Sequence, residues 1–210
     1  MANTNKPFGF SPWRTRQGAS WNGGGNVYYI PTTDGSVFTV GDPVISAAIM
    51  DANGVPGVAI ATGTSTVRGV IVGVLPVHSA PSLVGASLAL ETMVIPATKA
   101  HDYYVMVCDD PDVIYKCQMD NGTVTSSAAL NTTANKNCSF TVNSGTGTLS
   151  NAVLGAATIN TTNTLNVKLM GLVNDATSNT GVSMTGTTGQ YAVYQCIFNE
   201  HEFNGATAGI

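Results

Sequence analysis

Chemistry in this 210-residue chain rests on three histidines, four cysteines and twelve acidic side chains, the groups able to move protons, attack electrophiles or hold metals. His101-Asp102 and His201-Glu202 set an imidazole beside a carboxylate, the pairing a general base needs. Neighbours on a strand face opposite ways, so neither pair forms a working dyad, and His78 stands alone. Asp109, Asp110 and Asp112 surround Pro111 and offer oxygens to a calcium ion. The spacing and bidentate Glu of a calcium loop are missing, so the segment reads as a tight turn. Pro111 presets the backbone angle and the aspartates bond back to local amides. Cys108, Cys117, Cys138 and Cys196 include no CxxC pair, which leaves zinc unsupported and makes them reduced, small apolar core residues. Gly23 to Gly25 and Gly145-Thr146-Gly147 lack the strand before and the helix after that a phosphate loop needs. Neither GxSxG nor HExxH occurs, and the NxS/T triplets at Asn121, Asn131, Asn137 and Asn160 carry meaning only on a secretory route. No cofactor, no metal and no enzymatic activity are expected.

Only 10% of the residues are charged, against ~25% in an average globular protein. Such a surface is covered by Ser, Thr, Asn and Gly, or lies against another protein. Eight scattered basic residues and a net charge of −4 make no phosphate-binding patch, so nucleic acid is not an expected partner. The opening MANTNKPFGF shows no charged start followed by an apolar core, and the apolar run from Val70 to Val77 is broken by Gly73 and Pro76. That run falls short of the ~20 residues that span a bilayer. The expectation is a soluble protein made in a cytoplasm, with no membrane partner.

The elements that position these groups follow a period of two. Val27 to Ile30, Val37 to Val40, Val44 to Ile49 and Val58 to Ala61 are extended runs, punctuated by Asp34-Gly35, Gly41-Asp42-Pro43, Asn53-Gly54 and Pro56-Gly57. Gly69 to Leu75 and Tyr191 to Phe198 are apolar on both faces and predict strands covered on both sides. Leu165, Val167, Leu169 and Val173 alternate with Asn166, Lys168 and Asn174, predicting one buried and one wet face. The runs flanking Pro111 predict a strand pair, His101 to Asp120 rising, turning and coming back. Helix signals are confined to Val124 to Ala134, where Asn and Thr weaken them. Residues 121–190 hold three charges and much Thr, Asn and Ser, yet still supply strand-grade apolar residues, with Asn174 to Gly189 the best mobile-loop candidate.

The fold class that results is all-β: a single sandwich or barrel, jelly-roll-like, spanning 26–210. Residues 1–25 stand apart, with both tryptophans, breaks at Pro7 and Pro12, and the Gly23-Gly24-Gly25 hinge. They read as an extended N-terminal arm that adds little to the fold and much to docking. Phe8, Phe10, Trp13, Arg14, Arg16 and Trp21 are its partner-binding residues, being of the types enriched at interface hot spots.

Ordered blocks run along nearly the whole chain: Pro7-Phe8-Gly9-Phe10 with Pro12 and Arg14, Tyr28-Tyr29-Ile30-Pro31, Phe38 with Gly41-Asp42-Pro43-Val44, and Gly69 to Val74. Tyr103 to Asp120, Lys168 to Val173 and Asn199-Glu200-His201-Glu202-Phe203 complete them. In this order and spacing the chain resembles the head decoration, or cement, proteins of tailed bacteriophages; its polar, charge-poor 121–165 region departs from their pattern. The resemblance implies a β-domain on the outside of a virion capsid that ties neighbouring subunits of the major capsid protein together, itself a homo-oligomer, dimer or trimer. The alternative is a tail- or fibre-associated β module that binds host glycan, with Trp13 and Trp21 as its aromatic platform.

Overall fold

A computed structural model describes residues 5–75, 93–120, 133–142, 149–173 and 191–204. The regular structure there is β apart from one 3-10 turn at Ala156–Thr158 and a single helical residue, Thr133. None of the described helical residues forms a segment long and apolar enough to cross a membrane. Among the described residues fourteen strands form: β1 (Ser11–Thr15), β2 (Asn26–Ile30), β3 (Phe38–Thr39), β4 (Pro43–Met50), β5 (Pro56–Ile60), β6 (Gly69–Leu75) and β7 (Val94–Ile95). Then follow β8 (Tyr103–Cys108), β9 (Val113–Gln118), β10 (Asn137–Cys138), β11 (Phe140–Thr141), β12 (Val153–Leu154), β13 (Val167–Leu172) and β14 (Val193–Phe198).

Five of them close into a barrel in the order β2-β5-β4-β6-β8. A five-stranded sheet ordered β1-β9-β14-β13-β10 packs beside it, and β3-β7 and β11-β12 form two short ribbons. The architecture is all-β, as the period-two pattern predicts. Turns fall at Gly41-Asp42 and around Asn53-Gly54, whereas Pro56-Gly57 opens β5 instead of turning the chain. Asp42 bonds the Thr39 amide at 2.7 Å, and Asp51 bonds the amides of Asn53 and Val55, each at 2.8 Å.

Two cores result. Tyr28, Ile30, Phe38, Val44, Val58, Ile71, Ile95, Val105 and Val107 fill the barrel. The larger core lies between barrel and sheet, where Val67, Val70 and Cys108 meet Tyr115, Tyr194, Cys196 and Phe198. All four cysteines are buried and unbridged. Burial pushes every thiol up, that of Cys138 to about 12.

Three expectations are corrected. The runs flanking Pro111 are strands, but β8 and β9 do not pair. Val105 on β8 has Tyr28 on one side and Val74 on the other, so the closed barrel leaves β8 no free edge. The turn survives, with the Val113 amide on the Asp110 carbonyl at 3.2 Å and the Asp112 amide on the Asp110 side chain at 2.8 Å. It is a corner that carries the chain out of the barrel and into the sheet, where β9 pairs with β1 and β14.

The second correction concerns the arm. Phe10 is 1% exposed and sits at the centre of the larger core, 5.0 Å from the Phe198 ring, 5.6 Å from Phe140 and 6.3 Å from Tyr115. The segment is fastened by the Phe10 amide on the Gly41 carbonyl at 2.9 Å. A Cβ on Gly9 would lie 2.4 Å from that same oxygen, so only glycine admits the approach. Residues 11–15 continue as an edge strand. Phe10 belongs to the larger core, and its burial draws the segment in.

Third, Asn166 faces inward and is fully buried, where alternation predicts a wet face. Its side-chain NH2 donates to the Ser65 carbonyl, and its backbone carbonyl receives the Asn199 amide at 2.7 Å, while its side-chain oxygen is buried without a partner. The alternation otherwise holds: Val167 and Leu169 are buried, Lys168 and Met170 exposed. Tyr191 to Phe198 supplies β14, central in the sheet as expected. The helix signal from Val124, the loop from Asn174 to Gly189, His78 and Gly145-Thr146-Gly147 lie, wholly or nearly so, outside the described residues.

Candidate partner interface

β1 forms a ledge at the edge of the sheet. Along it the backbone alternates, so Phe10 enters the core while Trp13 stays half-buried on the outside. Two cations contact the Trp13 ring, the Arg14 guanidinium 4.4 Å and the Lys116 ammonium 4.7 Å from its centroid. Register puts Lys116 there, since it pairs with Ser11 across β1 and β9. Arg14 also donates to the Gln195 side chain at 3.0 Å. An indole held by two cations is restricted in orientation, so less conformational entropy is lost when a partner covers it. Arg16 pairs with Asp112 at 3.1 Å, with both side chains largely in water. A pair so exposed contributes little to stability.

The free edge of β1 is partly covered by its own chain. The Trp21 amide bonds the Trp13 carbonyl at 3.0 Å and the Thr15 amide bonds Ala19 at 2.8 Å. This blunts an edge that would otherwise pair with any strand. Next to it runs an open groove of about 290 Å³ lined by Phe8, Phe10, Pro12, Trp21, Val40 and Leu149, among others. Leu149 is 40% exposed. Of the six residues expected to bind a partner, Phe8, Trp13, Arg14, Arg16 and Trp21 thus sit along one ledge and groove. Phe10 forms the groove floor and is reached from the solvent side hardly at all.

The titratable groups are gathered elsewhere, at the seam between barrel and C-terminal segment. Arg68 donates to the Tyr28 hydroxyl at 2.8 Å and to Glu202 at 3.3 Å, and lies 3.9 Å from Asp109. Tyr28 donates to Asp109 at 2.7 Å, and the Asn26 amide reaches both Asp109 oxygens at 3.0 Å. Glu202 accepts the Ser46 amide at 2.8 Å and its hydroxyl as well. The Arg68 guanidinium covers the Phe203 ring at 4.0 Å. Burial, then the neighbouring Asp109, push the Tyr28 hydroxyl up to about 12, so it stays a proton donor and no nucleophile. His201 beside this seam is 1% exposed; its Nδ1 accepts the Phe203 amide at 3.1 Å and its Nε2 is buried without a partner. Burial holds it below the usual imidazole range. The two carboxylates share the Arg68 guanidinium and each takes further hydrogen bonds, so the seam is built as a clasp between the barrel and the C-terminal segment.

Asp109, Asp110 and Asp112 diverge. The first turns inward to Asn26 and Tyr28, the second caps the corner, and the third faces Arg16. Among the described residues no cluster of three or more His, Cys, Asp or Glu is placed to hold a metal ion.

A second exposed surface was not visible from composition. On the barrel wall away from the sheet, Val27 pairs with Met106 and Tyr29 with Tyr104, and Ile49 lies over Gly57 beside Tyr29. Val27, Ile49 and Met50 are 45%, 42% and 69% exposed. Asp102 and Asp51 fix the hydroxyls of Tyr29 and Tyr104 at 2.9 Å and 2.7 Å. The alternation Val27/Tyr29 against Tyr28/Ile30 was the signal that these two side chains face out. Comparison of the chain with protein-family models, curated proteins and solved structures finds no match.

Proposed function

We propose that the protein is a structural, non-enzymatic component of a phage virion that binds the outside of the capsid and stabilises contacts between subunits of the major capsid protein. The observation that carries this reading is the β1 ledge: Trp13 held by Arg14 and Lys116, beside an apolar groove lined by Phe8, Pro12, Trp21 and Leu149. Aromatic and arginine side chains next to apolar relief are what interface hot spots are made of. The ordered sequence blocks and the charge-poor surface support the same reading. Assembly as a dimer or trimer belongs to the proposal.

The test is co-sedimentation of the protein with capsids that lack it, together with quantitative mass spectrometry of virions. A fixed ratio to coat protein, and binding weakened by Trp13→Ala in a variant with an only slightly lowered melting curve, are expected. Only a few copies per particle would overturn the capsid reading, and full binding by that variant would overturn the assignment of the ledge.

A further inference from the structure

Between the fold-back after β1 and the Asp109–Asp110 corner lies a cleft of about 320 Å³, distinct from the apolar groove and on the other flank of Trp21. Ser20, Trp21, Asn22, Asn26 and Asp110 line it, together with the backbone of Gly24 and Gly25. Its size lies at the small end of the range for small-molecule sites. The glycines keep its wall low: a Cβ on Gly25 would come 2.7 Å from the Val107 carbonyl, so that stretch of backbone lies directly against the barrel.

The polar groups of the cleft are half spent, and the spent half fixes how they point. Asn26 gives its amide nitrogen to both oxygens of Asp109, which turns its carbonyl oxygen away from them. Asn22 accepts the Gly24 amide on its carbonyl oxygen at 3.1 Å, which leaves its NH2 group as a donor. Asp110 uses one oxygen on the Asp112 amide and keeps the other. The Trp21 indole N–H is tied to the Gly24 carbonyl at 3.2 Å, which anchors the ring at the cleft wall. What remains is one amide donor, one amide acceptor, one carboxylate oxygen and the Ser20 hydroxyl, around an anchored indole.

We infer that this cleft is a binding site for a neutral saccharide, one pyranose ring or the end of a short glycan. Vicinal sugar hydroxyls each donate and accept, so they use a donor, acceptors and a hydroxyl together, while the ring's C–H face rests on an indole. A cationic side chain would use the acceptors but meet the Asn22 NH2 group with like polarity, and an anion would meet Asp110. The inference does not rest on capsid docking, which uses Trp13 and the groove.

The experiment is an NMR titration of the full-length protein, following the indole N–H signals of the two tryptophans. Trp13→Phe assigns them. The probes are a panel of methyl pyranosides and their disaccharides, with Nα-acetylarginine amide as the cationic comparison. Expected is a saturable shift of the Trp21 signal by at least one saccharide at millimolar concentration, with Trp13 unmoved. Asp110→Asn and Asn22→Ala keep the corner and the fold, as a melting curve would verify, and are expected to weaken the saccharide at least fivefold. A flat titration across the panel, a response to the arginine probe alone, or unchanged binding by both variants overturns the inference. Capsid co-sedimentation of Asp110→Asn separates the two readings, because it should match wild type whether or not a sugar binds.

Discussion

The barrel and the sheet are built from the same strand chemistry but draw on the chain in opposite ways. Every barrel strand comes from between Asn26 and Cys108, and four of its five pairings are antiparallel. The sheet takes strands from Ser11 to Phe198, and its core is closed by Phe10, far along the chain from its neighbours Phe140 and Phe198. Local closure costs less chain entropy than long-range pairing. The barrel is therefore the half whose order follows from its own turns. The sheet is the half that depends on segments arriving from both ends of the chain.

The sharpest way to break this comparison is to remove what the N-terminus brings. Phe10→Ala should cost ~3–5 kcal/mol in urea unfolding, the range for truncating a buried Phe. Deleting residues 1–16 takes away β1 as well, and is expected to abolish the cooperative transition of the sheet. A near-normal melting curve for that deletion would return residues 1–16 to the status of an arm. Ile71→Ala in the barrel core should cost ~2–5 kcal/mol. If barrel and sheet unfold as one unit, far-UV circular dichroism and tryptophan fluorescence give coincident curves for both variants. Both tryptophans lie on the sheet side, so separated curves would show the barrel outlasting the sheet.

A smaller effect is expected at the clasp. Arg68→Met leaves Asp109 and Glu202 facing each other's neighbourhood without their cation. Breaking a fully buried pair costs ~3–5 kcal/mol. Arg68 retains 21% side-chain exposure, so roughly 2 kcal/mol is the expectation once water screens the loss. Because the clasp joins the barrel to His201–Phe203, the variant should also speed hydrogen exchange of the Val67 amide, which bonds the Glu200 carbonyl at 2.9 Å. Unchanged exchange there would mean that the seam is held by packing alone.

The contrast between the halves also explains what the sequence could tell. Gly41-Asp42-Pro43, Asn53-Gly54 and the valine runs mark the barrel strands to within a residue or two, because turn chemistry and alternation act over short spans. The corner at Pro111 carries the same signals as a hairpin. What decides it is that β8 is already flanked by β2 and β6, a fact of ring closure that no local window contains. Phe10 fails for a related reason: its fate depends on the aromatic hole left by Tyr115, Phe140 and Phe198. Of the candidate interface, the residue types were legible but their sidedness was not, since Phe10 and Trp13 differ by a turn of the strand rather than by composition. The cleft at Trp21 was invisible for the same cause, being assembled from a loop and a corner over 80 residues apart (Asn26 to Asp109).

Acid should find the C-terminal segment before the barrel interior. His201 is neutral when folded, with Nδ1 accepting from Phe203 and Nε2 carrying the proton. A second proton must displace the Phe203 amide and place charge in a buried site. Burial lowers this imidazole, while Glu202, Asp109 and Asp110 pull the other way without overcoming it. With the folded value below the unfolded ~6.5, the unfolded chain binds the proton more readily. Stability is then complete above that pH and declines as pH falls below it. His201→Gln, which keeps an acceptor for Phe203, should flatten that decline between wild type and variant measured in matched buffers. Asp42 works in the opposite sense. Burial raises its carboxyl, so its cost grows as pH rises above the usual carboxylate range, and the paired measurement cancels it.

The smallest expected change in stability belongs to Trp13, and that is what makes it informative. It touches Arg14 and Lys116 rather than the core, and exposed cation–π contacts are worth ~0.5–1 kcal/mol each. Trp13→Ala should therefore lower stability by about 1–2 kcal/mol, against the ~3–5 kcal/mol expected for the nearby Phe10→Ala. Docking should rank them the other way among variants that still fold. Covering a large aromatic side chain contributes roughly 1.5–3 kcal/mol before ordering costs, and the two flanking cations have already ordered this ring. A tenfold or greater loss of capsid affinity in Trp13→Ala, with the melting curve only slightly lowered, would separate the outer face of β1 from its inner face. Equal losses of stability in the two variants would mean that the sheet edge is one packed unit, with no ledge set aside for a partner.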